Sequence, residues 1–379
     1  SSKSEEFIVN DYNTGSADIS YIFCDMSAHF PDDAPERPFV NPFETPETPM
    51  PENKAEAAPE VEEIAEPTVT EETAENTEET AEAPKKKEKK KKKKKSAIEA
   101  AKPDLVILGG DNVDGRYLKP YDEFIKYMEI FTEPLEKRKI PWMHVFGNHD
   151  YDVEVSGPEM QKVYESYPYC ISSHSEGIPG ITNYMVPVLA HDSDKVEYAI
   201  YAFDSKYKNG TLREGVTAED LMLPNRDPVY KKWDPIRFEQ QMWYWNLSKE
   251  LEEKEGHTVR AMAVMHVPPH EIMMAVNNPE ETGYIGTDDE KFQCPMINSG
   301  VYSTMLERGD VEIIAAGHLH KNISDGIYGG IRFTLDACGG FAIGGVDTRR
   351  GGRIFDIRND GTHETHMIYA KDYIDVSKK

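Results

Sequence analysis

Five short apolar runs in this chain stop on the same kind of text. "FCDMSAH" (Phe23–His29), "LGGDNVDG" (Leu108–Gly115), "FGNHD" (Phe146–Asp150), "VMHVPPH" (Val264–His270) and "AAGHLH" (Ala315–His320) each carry Asp, Asn or His just beyond a stretch with strand character. A short continuous apolar run bounded by turn residues reads as a buried strand. In α/β sheets, ligands bind beyond the carboxyl ends of the strands. A fold that satisfies all five runs gathers Asp25, Asp111, Asn148, His266, His318 and His320 at one sheet edge. Carboxylate, amide oxygen and imidazole together suffice for two divalent metals, and they suit Mn, Fe or Zn better than a thiolate-preferring ion.

Taken singly, each motif has an ordinary explanation. "GGD" before a helix can be a turn plus an N-cap. "GNHD" can be a turn, since Gly, Asn and Asp tolerate the backbone angles that turns demand. "GHLH" can be a turn with surface histidines. The combination carries the weight: every motif follows an apolar strand, and glycine stands where a tight approach is needed.

Between these runs the pattern alternates. "DISYIFCD", "KPDLVILGGD", "IPWMHVFGNHD" and "VRAMAVMHVPPH" read as strands. "PYDEFIKYMEIFTEPLEKRK" (Pro120–Lys139) has helical spacing at Phe124, Tyr127, Met128 and Phe131, and a second helix runs from about Asp234 to a stop at Gly256. "VYSTMLERGDVEIIAAGHLH" is a helix followed by a strand, and the segments from Gly330 onward alternate as β. The expected fold class is α/β, layered, with two sheets and helices outside.

One segment does not fit a fold. Residues 31–95 are rich in Glu, Pro, Thr and Ala and then turn to poly-Lys, "KKKEKKKKKKK" at Lys85–Lys95. Such text cannot bury enough apolar surface to offset its ordering entropy. It is expected as a disordered low-complexity insertion within a single domain spanning 1–379. Its 12 basic and 18 acidic residues balance to −6, so −20 of the net −26 belongs to the rest of the chain. That sign argues against specific nucleic-acid binding, because the phosphate backbone rewards the opposite charge. Bound cations can still make a phosphorylated substrate welcome locally. Cys24, Cys170, Cys294 and Cys338 form no CxxC pair, which argues against a zinc ribbon or a disulfide scaffold. No apolar run reaches the ~20 residues of a membrane helix. The chain starts at Ser1 rather than Met, which leaves a cytoplasmic location and secretion after leader removal both open.

"GGDNVDG", "GNHD", "VMHVPPHE" and "GHLHKN", in this order, resemble the calcineurin-like metallophosphoesterase superfamily. "FEQQMWYW", "RGGRIFDI" and the text from Tyr284 to Asn322 are similar to a branch of purple-acid-phosphatase-like proteins. The resemblance implies a four-layer α/β/β/α sandwich and hydrolysis of phosphate mono- or diesters by a hydroxide activated between two divalent or trivalent metals. It implies that Asp111 bridges the metals. Asp25 and His320 complete one site; Asn148, His266 and His318 complete the other. His149 faces the leaving oxygen and Asp150 orients it. The family's first motif is Asp-any-His, whereas here Ser27 stands at the ligand spacing and the first histidine is His29. A loop two residues longer makes His29 the expected ligand. "DSKYKNG" (Asp204–Gly210) is expected as a structural turn. The long connection after His270 is expected as a loop and substrate-facing wall, with Tyr284, Glu290 and Cys294 in its latter half; Cys170 and Cys294 are expected as inert thiols. The competing expectation is a catalytically impaired scaffold or binding protein with residues 31–95 as a charged interaction arm.

Overall fold

The computed structural model describes residues 19–24 (backbone only), 96–116, 120–191, 193–205, 233–287, 289–336, 338–340 and 344–374. In chain order its strands are β1 (Ile19–Cys24), β2 (Leu105–Leu108), β3 (Trp142–His144), β4 (Tyr184–Leu189), β5 (Val196–Phe203), β6 (Arg260–Met265), β7 (Ile285–Gly286), β8 (Val311–Ala316), β9 (Ser324–Tyr328), β10 (Ile331–Leu335), β11 (Gly351–Ile357) and β12 (His363–Tyr369). The helices are α1 (Ala97–Ala101), α2 (Tyr121–Glu136), α3 (Gly157–Glu165), α4 (Phe238–Glu255), α5 (Ile272–Asn277), α6 (Pro279–Thr282) and α7 (Val301–Arg308).

Two sheets form. The smaller has the order β12-β11-β1-β2-β3, and the larger β4-β5-β6-β8-β10-β9-β7. Neighbours β1, β2 and β3 are parallel, and so are β5, β6, β8 and β10. Their carboxyl ends therefore lie along one edge of each sheet, where the polar motifs begin.

Strand periodicity explains the layering. Along β5, Tyr198, Ile200 and Ala202 face one apolar cluster, and Ala199, Tyr201 and Phe203 face another. Side chains alternate across a strand, so a strand buried on both faces reads as continuously apolar. The first cluster lies between the sheets: Leu105, Ile107, Met143 and Val145 meet Met262, Val264, Ile313 and Ala315. The second seals the outer face of the larger sheet against Tyr244 and Leu251 of α4 and Val301, Tyr302 and Met305 of α7. On the far side of the smaller sheet, Trp142 meets Tyr164 of α3, which meets Phe124 of α2, at ring separations of 6.1 and 6.4 Å. This is the expected α/β/β/α sandwich. Each large side chain buried in it contributes roughly 1.5–3 kcal/mol of transfer free energy.

Three local expectations need adjustment. Helix α4 ends at Gly256 (φ 79°) as expected, but it begins at Phe238 rather than near Asp234. Asp234 precedes Pro235, which biases it away from the helical region, and its carboxylate takes the Arg237 guanidinium at 2.5 and 3.1 Å. The connection after His270 is not an open loop. It folds into α5 and α6, closed by Thr282 Oγ1 donating to the Ala275 and Asn278 carbonyls, and then pairs β7 with β9. Helix α2 stops three residues short of Lys139, which turns left-handed at φ 57°. The 31–95 tract, Asp25 and His29 lie outside the described residues. Among the described residues no helix is long and apolar enough to cross a membrane.

His144, the last residue of β3, is wholly buried. Its ring stacks on Tyr164 at 3.7 Å, and its Nδ1 lies 2.7 Å from Ser172 Oγ. Burial lowers its pKa from 6.5 to about 3. Between those values the unfolded chain binds a proton that the folded chain refuses. The stability His144 contributes is full above about 6.5 and drains as pH falls toward about 3. Each pH unit of that window is worth about 1.4 kcal/mol. Urea unfolding of the wild type from pH 7 to pH 4.5 is expected to show a steeper loss than His144→Gln, with the two slopes converging above pH 7.

Candidate metal centre

The chain leaves β2 through Gly109, Gly110 and Asp111. Gly110 has φ 96° and Asp111 φ 48°. A Cβ at Gly110 would sit 2.5 Å from His266 Nδ1, and one at Gly147 would sit 2.3 Å from the Asp111 nitrogen. Only glycine permits such close approach. Asp111 is buried, and its Oδ1 accepts the His149 N–H at 2.7 Å. Its Oδ2 lies 3.2 Å from His266 Nε2.

His266 Nδ1 lies 2.9 Å from the Gly109 carbonyl. A carbonyl only accepts, so Nδ1 donates and the neutral ring presents a lone pair at Nε2. That lone pair faces a carboxylate oxygen on one side and His318 Nδ1, at 3.3 Å, on the other. Ligand atoms of Asp111, His266 and His318 all lie within 4.8 Å of one another. Acceptor atoms this close repel unless a proton or a cation sits among them. Asn148 precedes His149 in the same turn, and its Oδ1 is buried with no hydrogen-bond partner among the described residues. Buried polar atoms are almost always partnered, and a cation would partner this one. The donor set fits a divalent metal.

The electrostatics agree. Burial opposes ionisation of Asp111, but the His266 and His149 rings, when they carry protons, hold its carboxyl below the usual carboxylate range. Burial, reinforced by His266, keeps His318 well below the ordinary histidine value, and burial also lowers His320. Neutral imidazole and ionised carboxylate are the metal-binding forms. His318 has φ 71°, which together with Asp111 makes two of the four non-glycine residues with positive φ among those described. Such conformations cost roughly 1–3 kcal/mol each and gather at functional sites. The Trp233 ring stands at 83° to His318, centroids 4.7 Å apart.

His149 and Asp150 divide differently from expectation. The His149 Nδ1 lies 2.7 Å from Asp152 Oδ2, so Asp152 is the carboxylate that orients the imidazole. Asp150 is turned inward. It accepts N–H groups of Gly147 at 2.7 Å, Val113 at 3.0 Å and Asn112 at 3.3 Å, tying the "GNHD" turn to the "GGDN" turn. Burial and the Asp111 charge push its carboxyl up, against the pull of those donors. The signal for Asp152 was spacing: Asp150–Asp152 form one turn of 3₁₀ helix, in which residues i and i+3 eclipse.

The remaining candidates have structural roles. Asp204 Oδ2 accepts the Tyr151 hydroxyl at 2.5 Å and the Ile181 N–H at 2.7 Å, the anchoring expected of a turn; residues 206–210 lie outside the described residues. Glu290 is stapled to the chain just after His320. Its Oε1 takes the Lys321 N–H at 2.9 Å, and its backbone exchanges bonds with the Asn322 side chain at 3.0 and 2.8 Å. Cys170 and Cys294 are buried, and burial pushes both thiols up to about 12, which leaves them inert at neutral pH.

The calcineurin-like phosphoesterase family profile matches residues 86–322, more than half of the chain, and the chain belongs to that family. Two Arabidopsis thaliana proteins are similar to it. "Probable inactive purple acid phosphatase 14" is 28% identical over 234 residues, 59% of this chain and 55% of the relative. "Probable inactive purple acid phosphatase 29" is 26% identical over 242 residues, 59% of this chain and 56% of the relative. "Phosphatase DCR2" of Saccharomyces cerevisiae is 24% identical over 233 residues, 59% of this chain and 37% of that protein. The chain thus spans about half, or less, of the length of the curated relatives it matches.

The two aspartates are separable by experiment. Asp150→Ala orphans buried N–H groups at about 1–3 kcal/mol each, so a loss of at least 2 kcal/mol or so in urea unfolding is expected. Asp152→Asn touches only a partly exposed pair, and its stability is expected to stay within about 1 kcal/mol of wild type.

Proposed function

We propose that this protein hydrolyses phosphate mono- or diesters with two metal ions of the Mn, Fe or Zn type. The observation that carries the reading is the convergence of Asp111 Oδ2, His266 Nε2 and His318 Nδ1 on one point. In this reading Asp111 would serve both metals; Asn148, His266 and His318 would hold one, while His320, Asp25 and His29 would hold the other. When bound, the ions neutralise the phosphoryl oxygens and lower the pKa of water for an in-line displacement.

The chain's own groups supply the rest. His149 donates its Nδ1–H to Asp152, which leaves Nε2 as the nitrogen that exchanges a proton with the leaving oxygen. An imidazole suits that task near neutral pH. Asp152 fixes the tautomer and stabilises the imidazolium. The His149 backbone N–H holds Asp111 at 2.7 Å, so acid and ligand sit in one rigid turn.

A catalytically impaired, metal-binding scaffold is the second reading. Ser27 in place of the family's histidine favours it, as do the names of the two plant relatives; the name of the yeast relative favours the enzyme.

Metal analysis combined with phosphomonoester and phosphodiester panels separates the two. Chelation is expected to abolish turnover and Mn, Fe or Zn to restore it. Asp111→Ala is expected to lose both metals. His149→Ala is expected to keep them and lose about 10²–10⁴-fold in rate, less on aryl esters than on alkyl esters. Full turnover by chelated protein overturns the metal assignment; metal binding with no turnover on any ester favours the scaffold.

A further inference from the structure

The turn at 317–320, which carries His318 and His320, is tied down at both ends. Its entry is fixed by the Gly317 N–H, which donates to the His266 carbonyl at 3.1 Å. Its exit is fixed by a different segment. Where β7 meets β9, backbone holds backbone: Ile285 lies opposite Asp325 and Gly286 opposite Ser324, and the Thr287 N–H donates to the Ile323 carbonyl at 2.9 Å. Toward His320 this ladder gives out and side chains replace it. Thr287 Oγ1 accepts the Ile323 N–H and donates to the Lys321 carbonyl, both at 3.2 Å. Asn322 is wholly buried; its Oδ1 accepts the Glu290 N–H at 3.0 Å, and its Nδ2 donates to the Glu290 carbonyl at 2.8 Å. Glu290 Oε1 accepts the Lys321 N–H at 2.9 Å. All of these bonds close on Lys321, Asn322 and Ile323, the residues that directly follow His320.

We propose that Glu290 and Thr287 are positioning residues for His318 and His320: their clasp on 321–323 holds the turn in the one conformation that aims both imidazoles at the metals they would bind. The inference rests on the metal reading above. His318 stands at φ 71°, and such a conformation persists only where the surroundings over-determine it. Within the turn the bonds are local, Leu319 N–H to the Gly317 carbonyl at 2.9 Å and Asn322 N–H to the Leu319 carbonyl at 3.3 Å. Leu319 is buried and seats the middle, but the backbone that leaves it is fixed by the clasp. Because the turn would supply one ligand to each metal, loosening it weakens both sites. Losing a partner that orients metal ligands typically costs about 10–100-fold in affinity. The coupling is reciprocal: if the clasp tightens metal binding, bound metal tightens the clasp. Glu290 acts through an acceptor oxygen that glutamine also carries, and Thr287 through a hydroxyl that serine keeps and valine lacks.

The test uses the full chain, first metal-free and then titrated with Mn(II). Glu290→Ala is expected to bind both Mn(II) ions about 10–100-fold more weakly, and Glu290→Gln to bind them as wild type does. Thr287→Val is expected to lose affinity in the same direction but less, and Thr287→Ser to keep it; this milder pair guards against a Glu290 variant that fails to fold. In wild type, hydrogen exchange at the Lys321 and Ile323 amides is expected to slow on Mn(II) binding, by a factor of the same order as the affinity that Glu290→Ala loses. A clasp that served folding alone would lower the urea midpoint without this metal-dependent protection. Unchanged Mn(II) affinity in both Glu290→Ala and Thr287→Val overturns the proposal. So does equal weakening in Glu290→Ala and Glu290→Gln, or exchange at Lys321 that ignores Mn(II). A wild type that binds no Mn(II), yet whose metal-free His318 and His320 ring signals move in Glu290→Ala and not in Glu290→Gln, overturns the metal reading and leaves the hold of the clasp on the two imidazoles standing. If those signals do not move either, both fall.

Discussion

The Asp150 carboxylate is the contact on which the described half of the site depends. A buried carboxylate is costly unless hydrogen bonds favour its charged form. Here three backbone N–H groups from two different turns do so. Because β2 and β3 are parallel neighbours, their following turns start side by side, but adjacency alone does not fix their conformations. Asp150 does. It pins Gly147 against Asp111 at a spacing only glycine permits, and it steadies the left-handed backbone of Asp111. Asn148 and His149 are the residues between its two grips, so an amide oxygen and an imidazole inherit fixed positions from a side chain that itself touches no ligand.

The donors come from both sheets. Asp111 and Asn148 follow strands of the smaller sheet; His266 and His318 follow strands of the larger. The geometry of the cluster is thus a property of the sheet-to-sheet packing. Gly110 lies against the His266 ring with no room for a Cβ, so the sheets meet in atomic contact at the site itself. A close-packed interior transmits small shifts rather than absorbing them. The apolar layer of Ile107, Val145, Val264 and Ala315 is in this sense the outer support of the donor cluster, which is why the strand residues just before each of these four polar motifs are apolar and buried.

What was legible in the sequence follows the range of the interaction. Strand ends and their donors could be read because alternation along a strand and glycine at a tight approach are local signals. Helix α4 was read correctly at its Gly256 stop and misplaced at its start, where Pro235 overrode a helical pattern by a rule that acts on the preceding residue. Asp152 lies outside the "GNHD" motif that Asp150 closes, although three-residue spacing in a tight turn brings 149 and 152 together. The fold of 270–286 and the grip of Glu290 on Lys321 and Asn322 depend on pairing with β9 and the "GHLHKN" turn, about thirty residues away. No periodicity encodes such contacts; only the assembled sheets create them.

Charge connects the site to the chain that carries it. A net −26 sets up a field that repels a phosphate ester, yet salt screens it beyond about 8–10 Å. Within that distance the balance is local. Asp111 is the one carboxylate in the described donor cluster, and its companions are imidazoles and an amide. The second ring nitrogen of His266 hydrogen-bonds to a backbone carbonyl rather than to a carboxylate. A carbonyl fixes a tautomer as a carboxylate does but adds no negative charge. Carboxylates stand elsewhere: Asp111 at the cluster, Asp150 under three N–H groups and Asp152 beside His149. A divalent cation in such a surround keeps most of its charge to spend on an anion, and that is the condition an acidic protein must meet to hold a phosphate at all.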